Sequence, residues 1–129
     1  MYDTKVANPK ANVGALKPPL DLVSPVIIAH LADAMRDGAK KYGAWNYREV
    51  DISASVYVAA AKRHLDLWMD GEEYADDSDV HHLGHALACI GLILDSQQCG
   101  NLVDDRPPTC NLGELYKTFI ERYKDESTD

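Results

Sequence analysis

Four of the chain's five histidines, His64, His81, His82 and His85, stand between positions 64 and 85. The segment among them, Glu72-Glu73-Tyr74-Ala75-Asp76-Asp77-Ser78-Asp79, is dense in carboxylates. On a helix, His82 and His85 are neighbours at i, i+3, and His81 and His85 at i, i+4. Imidazoles so spaced can converge on one ion, with carboxylates of the preceding loop completing its shell. Oxygen-rich sets suit Mg²⁺ or Mn²⁺, and added imidazole moves the preference toward Mn²⁺ or Zn²⁺. The same spacing also fits a plain reading, a capped and solvated helix start whose histidines flank a core. A second, basic constellation is Ala39-Lys40-Lys41-Tyr42-Gly43-Ala44-Trp45-Asn46-Tyr47-Arg48, followed by Lys62-Arg63. Aromatic rings can stack on a base while Lys and Arg hold phosphates. Cations closing a helix C-terminus account for Lys40 and Lys41 equally well, though not for Asn46 or the aromatics.

The elements that must position these groups read as helices. Residues 1–24 hold Pro9, Pro18 and Pro19 and form an irregular arm, because proline removes backbone donors. Ser24-Pro25 starts a helix with a hydroxyl cap and proline at its first position. Ile27, Leu31, Ala34, Met35 and Gly38 recur at helical period to about Lys41, where Gly43 stops them. A second helix runs from Ser53 to Asp70 and ends at Gly71. One of its stripes holds Val58, Leu65 and Met69, and the neighbouring one Tyr57, Ala61, His64 and Trp68. Ser78 is expected to cap a third helix with an apolar stripe of Val80, Leu83, Leu87, Ile90 and Leu94. Asn111 and Glu114 stand at capping-box spacing before a fourth, with residues 124–129 frayed. No stretch reads convincingly as a strand, although Ser53–Val58 could compete for one. The expected fold is all-α, a single domain over 1–129, built as a small bundle of about four main helices and completed by oligomerisation.

Composition sets limits on the partners. The 129 residues carry 13 Lys+Arg against 21 Asp+Glu, a net charge of −8, which disfavours a DNA or RNA binder. It also repels a triphosphate unless divalent cations screen the carboxylates. No apolar run is long enough to span a membrane. Three cysteines without Cys-x-x-Cys spacing exclude a four-cysteine zinc site and fit a reducing compartment, hence a cytoplasmic expectation. No Gly-x-x-x-x-Gly-Lys-Ser/Thr, His-Asp, Gly-x-Ser-x-Gly or His-Glu-x-x-His motif occurs. Cys89 falls in an apolar stretch, as a core residue would.

Several ordered blocks together resemble one family. Lys17-Pro18-Pro19-Leu20-Asp21-Leu22 and Gly38-Ala39-Lys40-Lys41-Tyr42-Gly43 with Asn46 come first. Ala61-Lys62-Arg63-His64-Leu65 with Trp68, Gly71, Glu72 and Glu73 follows. Asp77-Ser78, His82-Leu83, His85-Ala86 and finally Asp104-Asp105-Arg106-Pro107 complete the series. Across roughly residues 14 to 108 the chain resembles the phage dATP/dGTP diphosphohydrolases, which are similar to MazG-type all-α nucleotide pyrophosphohydrolases and include the MazZ group. It departs from the MazG pattern in lacking Glu-x-x-Glu followed by Glu-x-x-Asp; His82-x-x-His85 stands near the second pair's place. The resemblance implies cleavage of a deoxypurine triphosphate, dGTP preferred and dATP an option, to the monophosphate and pyrophosphate. The dGMP would feed 2-aminoadenine nucleotide synthesis in a phage. It implies a homodimer or homotetramer and Mg²⁺ or Mn²⁺, two or more ions per site. On this reading Glu72, Glu73, Asp77, His82 and His85 bind metal, and Glu72, Glu73 or His64 activates water. Lys40, Lys41 and Arg63 neutralise phosphate, Tyr42, Trp45 and Asn46 contact base or sugar, and Asp104 and Arg106 close over the site. The rivals are a non-catalytic metal- or nucleotide-binding helical oligomer, and a pyrophosphohydrolase for another nucleotide such as dUTP.

Overall fold

Apolar residues at helical period, punctuated by proline, serine and glycine, fold here into helices joined by short ordered turns. The computed structural model describes residues 8–127. Six helices are found among them: α1 (Pro9–Gly14), α2 (Pro25–Tyr42), α3 (Asn46–Glu49), α4 (Ala54–Met69), α5 (His82–Cys99) and α6 (Leu112–Ser127). Two short strands, β1 (Ile52–Ser53) and β2 (Leu102–Val103), pair in parallel with Ile52 opposite Leu102. The fold is all-α, as expected; α5 is its central helix, packed chiefly on α4 and then on α2.

Local chemistry explains the boundaries. The Ser24 hydroxyl accepts from the Val26 N–H at 3.2 Å, and Pro25 supplies the pre-set first turn. α4 ends where Gly71 adopts φ 98°, a backbone that only glycine takes without strain, and the Gly71 N–H donates to the Trp68 carbonyl. The core is small and alanine-rich: Ala34, Ala54, Ala61, Ala75 and Ala86 are buried together with Ile52 and Val80. Small side chains let helices approach closely. At Gly84 on α5, an added Cβ would lie 2.8 Å from the His30 carbonyl oxygen of α2.

Several expectations are corrected. The parallel β1–β2 pair exists but lies at Ile52–Ser53, so the strand ends where Ser53–Val58 was expected to begin; two residues carry no alternation to read. The arm is not wholly irregular, since Asn8 caps α1 and Leu20–Leu22 form a 3-10 turn; residues 1–7 lie outside the described residues. Ser78 does not cap α5. His81 does, its Nδ1 accepting from the Leu83 N–H at 3.0 Å, because the chain from Glu73 to His82 folds back as a closed turn. The Ala75 N–H donates to the Val80 carbonyl and the His82 N–H to the Glu73 carbonyl. The stripe Leu83–Leu87–Ile90–Leu94 is not the buried face of α5: Ile90 and Leu94 are exposed while His82, Gly84, Ala86 and Ser96 are buried. The close crossing at Gly84 admits only small groups and turns the longer ones outward. At α6, Asn111 contributes its carbonyl to Glu114 and Leu115, and Glu114 pairs with Lys117. The helix continues to Ser127 through the expected frayed segment, with a Glu121–Lys124 pair on it.

Candidate functional site

The end of α2, the α3 turn, the middle of α4 and the start of α5 surround a cavity of about 670 Å³, within the size range of small-molecule sites. Its wall from α2 and α3 carries Lys41, Tyr42, Trp45 and Asn46; α4 and α5 contribute Tyr57, His64, His85 and Cys89; the acidic turn contributes Asp77. Seven of the residues singled out from sequence are thus lining neighbours: Lys41, Tyr42, Trp45, Asn46, His64, Asp77 and His85. Trp45 is held in the left-handed region, φ 63°, a strained conformation for a bulky residue. Its ring sits 5.4 Å from Tyr47 and beneath the Arg48 guanidinium at 5.2 Å. Arg48 is itself fixed by Asp95 through two hydrogen bonds of 2.7 and 2.8 Å.

The polar lining consists of an ion-paired lysine and two stacked imidazoles. Lys41 Nζ lies 3.1 Å from Asp37 and 3.5 Å from Asp77. The Asp37 hydrogen bond raises the Lys41 pKa, and the Lys41 charge lowers that of Asp77, so both stay ionised at neutral pH. Beside them the His64 and His85 rings stack at 4.7 Å. Burial lowers the pKa of both, reinforced at His64 by the His85 and His82 rings and at His85 by the Lys41 charge. Neutral imidazoles can accept a proton. His85 Nε2 is 2.8 Å from the Ser78 hydroxyl, and His64 Nδ1 is 2.9 Å from His82 Nδ1.

Glu72, Glu73 and His82 do not line the cavity. His82 is 2% exposed, and its Nε2 has no hydrogen-bond partner although Glu72 Oε1 is 3.1 Å away. Glu73 contacts His81 at 2.9 Å. Among the described residues no three His, Cys, Asp or Glu side chains converge as a preformed metal site. Of the donors expected for a divalent ion, only Glu72 and His82 pair with each other; Glu73 contacts His81, Asp77 contacts Lys41 and His85 contacts Ser78. The unsatisfied His82 nitrogen next to a carboxylate is the chemistry such an ion would use.

Four predicted residues fall elsewhere. Lys40 borders a second hollow, with Asp33, Arg36, Asp37, Ser78 and Asp79. Arg63 is exposed on α4 and does not line the cavity. Asp104 and Arg106 bond each other at 2.8 and 2.6 Å in the loop after β2, away from the cavity; Arg106 holds the Asp104 carboxyl down at about 2. Sequence reasoning missed Asp37, Tyr57 and Ser78 as site residues. Asp37 had a legible signal, an acid four residues ahead of Lys41 on one helix face. Ser78 was read as a cap, and its bond to His85 depends on the closed turn.

The cavity thus brings aromatic rings together with a lysine, a carboxylate and two imidazoles, carried on α2, α4, α5 and the turns beside them. Residues 7–106 match the family model described as dATP/dGTP diphosphohydrolase, N-terminal. The chain belongs to this family, and the family's name marks it as a hydrolase of nucleotide substrates. No curated protein and no solved structure matches the chain.

Proposed function

We propose that this chain hydrolyses a deoxypurine nucleoside triphosphate, with dGTP preferred and dATP the alternative, to the monophosphate and pyrophosphate. The observation that carries the reading is the coincidence of the family match with one cavity lined by Lys41, His64, Asp77 and His85 together with Tyr42, Trp45 and Asn46. Water attacks the α-phosphorus, the bond from that phosphorus to the bridging oxygen breaks, and pyrophosphate leaves with the bridging oxygen. His64, neutral and facing the cavity, accepts the proton of the attacking water, with Glu72 or Glu73 as the carboxylate alternative. Lys41 stabilises charge on the phosphates. Tyr42 and Trp45 offer faces for the purine, and Asn46 a donor and an acceptor for its edge or the sugar. Glu72, Glu73, Asp77, His82 and His85 are the side chains that would hold Mg²⁺ or Mn²⁺, which supplies charge neutralisation and a more acidic water. In a phage that builds 2-aminoadenine nucleotides, the dGMP product would be the precursor. A homodimer or homotetramer is the assembly expected to complete the small core.

The test is incubation with each common dNTP and NTP, with Mg²⁺, with Mn²⁺ or with EDTA, resolving nucleotide products and pyrophosphate. Monophosphate and pyrophosphate, strongest from dGTP or dATP and abolished by EDTA, are expected. Glu72→Gln should lose turnover by about 10²-fold or more while its melting temperature stays close to that of the parent. Turnover strongest with dUTP would replace the purine assignment. No turnover with any nucleotide would leave a binding protein.

A further inference from the structure

We infer that α6 is an arm whose apolar stripe docks on a second copy of this chain. Leu112, Leu115, Tyr116, Phe119, Ile120 and Tyr123 recur at three- and four-residue spacing along it, and all are exposed, between 43% and 73%. Its polar side is held within the helix by the Glu114–Lys117 and Glu121–Lys124 pairs. Every residue from Leu112 to Glu126 is exposed, and α6 makes no extended packing with any other element. An isolated helix of this length is marginal in water, so α6 needs a surface to be stable.

Three observations make that surface a second copy. The chain exposes 10634 Å², whereas a compact monomer of its mass exposes about 6,800 Å². The surplus is several times the roughly 800 Å² that each partner commits to a stable interface. The segment between β2 and α6 contains Pro107-Pro108, which favours an extended, semi-rigid spacer and holds the helix away from its own bundle. Finally, the chain carries a fitting seat. On α4 the outer stripe Val58, Leu65 and Met69 is exposed; positions 58–69 and 112–123 give two helical stripes of the same length, about 16 Å. Exchange of arms between identical chains is a low-cost route to closed assemblies. α6 lies beyond the family-matching residues 7–106. Its docking does not depend on the proposed activity.

The test is light scattering coupled to size exclusion on the full chain and on two full-length variants, Leu115→Glu/Phe119→Glu on the arm and Leu65→Glu on the seat. The parent should run at twice 14.3 kDa or a higher multiple. Both variants should fall at least twofold in mass while keeping the helical circular dichroism of the bundle. Hydrogen exchange provides a second readout: protection of α6 amides in the parent should be lost on dilution, in step with the mass. A monomeric parent overturns the inference, as does an arm variant of unchanged mass. A Leu65→Glu variant of unchanged mass overturns α4 as the seat. Protection of α6 that ignores concentration means its own chain covers it, and also overturns the inference.

Discussion

Lys41 sits where two demands meet. Its ammonium is shared between Asp37 and Asp77 at 3.1 and 3.5 Å, and it is the lysine that lines the cavity beside the two stacked imidazoles. A phosphate entering there competes with both carboxylates for the same charge, so substrate and acidic turn are coupled through one side chain. Lys41→Ala should lower kcat/KM for the best nucleotide by about 10²-fold, and Lys41→Arg should recover part of it, read by steady-state kinetics. Loss of less than twofold would remove Lys41 from the phosphate site. Lys41, Tyr42, Trp45 and Asn46 were legible because they are contiguous, and contiguous residues at a helix end stay together. His64 and His85 were each singled out, His64 on a stripe of α4 and His85 in the histidine cluster, but the stacking of their rings depends on how α4 packs on α5 and was not legible. Arg63, next to His64 in sequence, points about a quarter-turn away on the same helix and so leaves the site. Asp104 and Arg106 satisfy each other locally, which no spacing rule reveals.

Among the elements, the packing of α2 on α5 is set by a single missing methyl group. With the His30 carbonyl oxygen 2.8 Å from where a Cβ would stand, Gly84→Ala forces two helix backbones apart. It should destabilise the fold by about 1–3 kcal/mol, visible as a lower melting temperature; an unchanged or higher value would contradict the crossing described. The start of α4 is secured from a distance. Ser53 forms no side-chain cap; instead Asp105 accepts from the Ser55 N–H at 2.8 Å and from the Ser55 hydroxyl. Those bonds hold the Asp105 carboxyl below the usual range. The stability they confer is therefore present above the unfolded pKa, near 3.9, and is lost as pH falls through the lower folded value. Asp105→Asn should melt earlier than the parent at pH 7, and the gap should narrow as pH drops below about 4. Caps adjacent in sequence, such as Ser24, and the stop at Gly71 were readable in advance. The cap at α4 was not, because it comes from a loop about fifty residues away, nor the cap at α5, where a histidine ring does a hydroxyl's work.

At the scale of the whole molecule, the sequence indicated an all-α fold, but not how little of its apolar surface one chain would bury. Alanine dominates the interior, and Leu65, Met69, Ile90 and Leu94 lie outside it; helical period locates a stripe without saying which neighbour will cover it. This interior has a calorimetric consequence. The heat-capacity rise on unfolding tracks newly wetted apolar surface, and a compact chain of this length gives about 1.5–1.9 kcal/mol/K. A lone chain with an alanine-lined centre already keeps much of that surface wet and should fall well short. If chains cover one another through their arms, unfolding wets the shared surface as well, so the full increment appears and the melting temperature climbs with protein concentration. Scanning calorimetry over a hundredfold concentration range separates the two, and a small, concentration-independent increment would mark a protein that spends its folded life with its greasy faces bare.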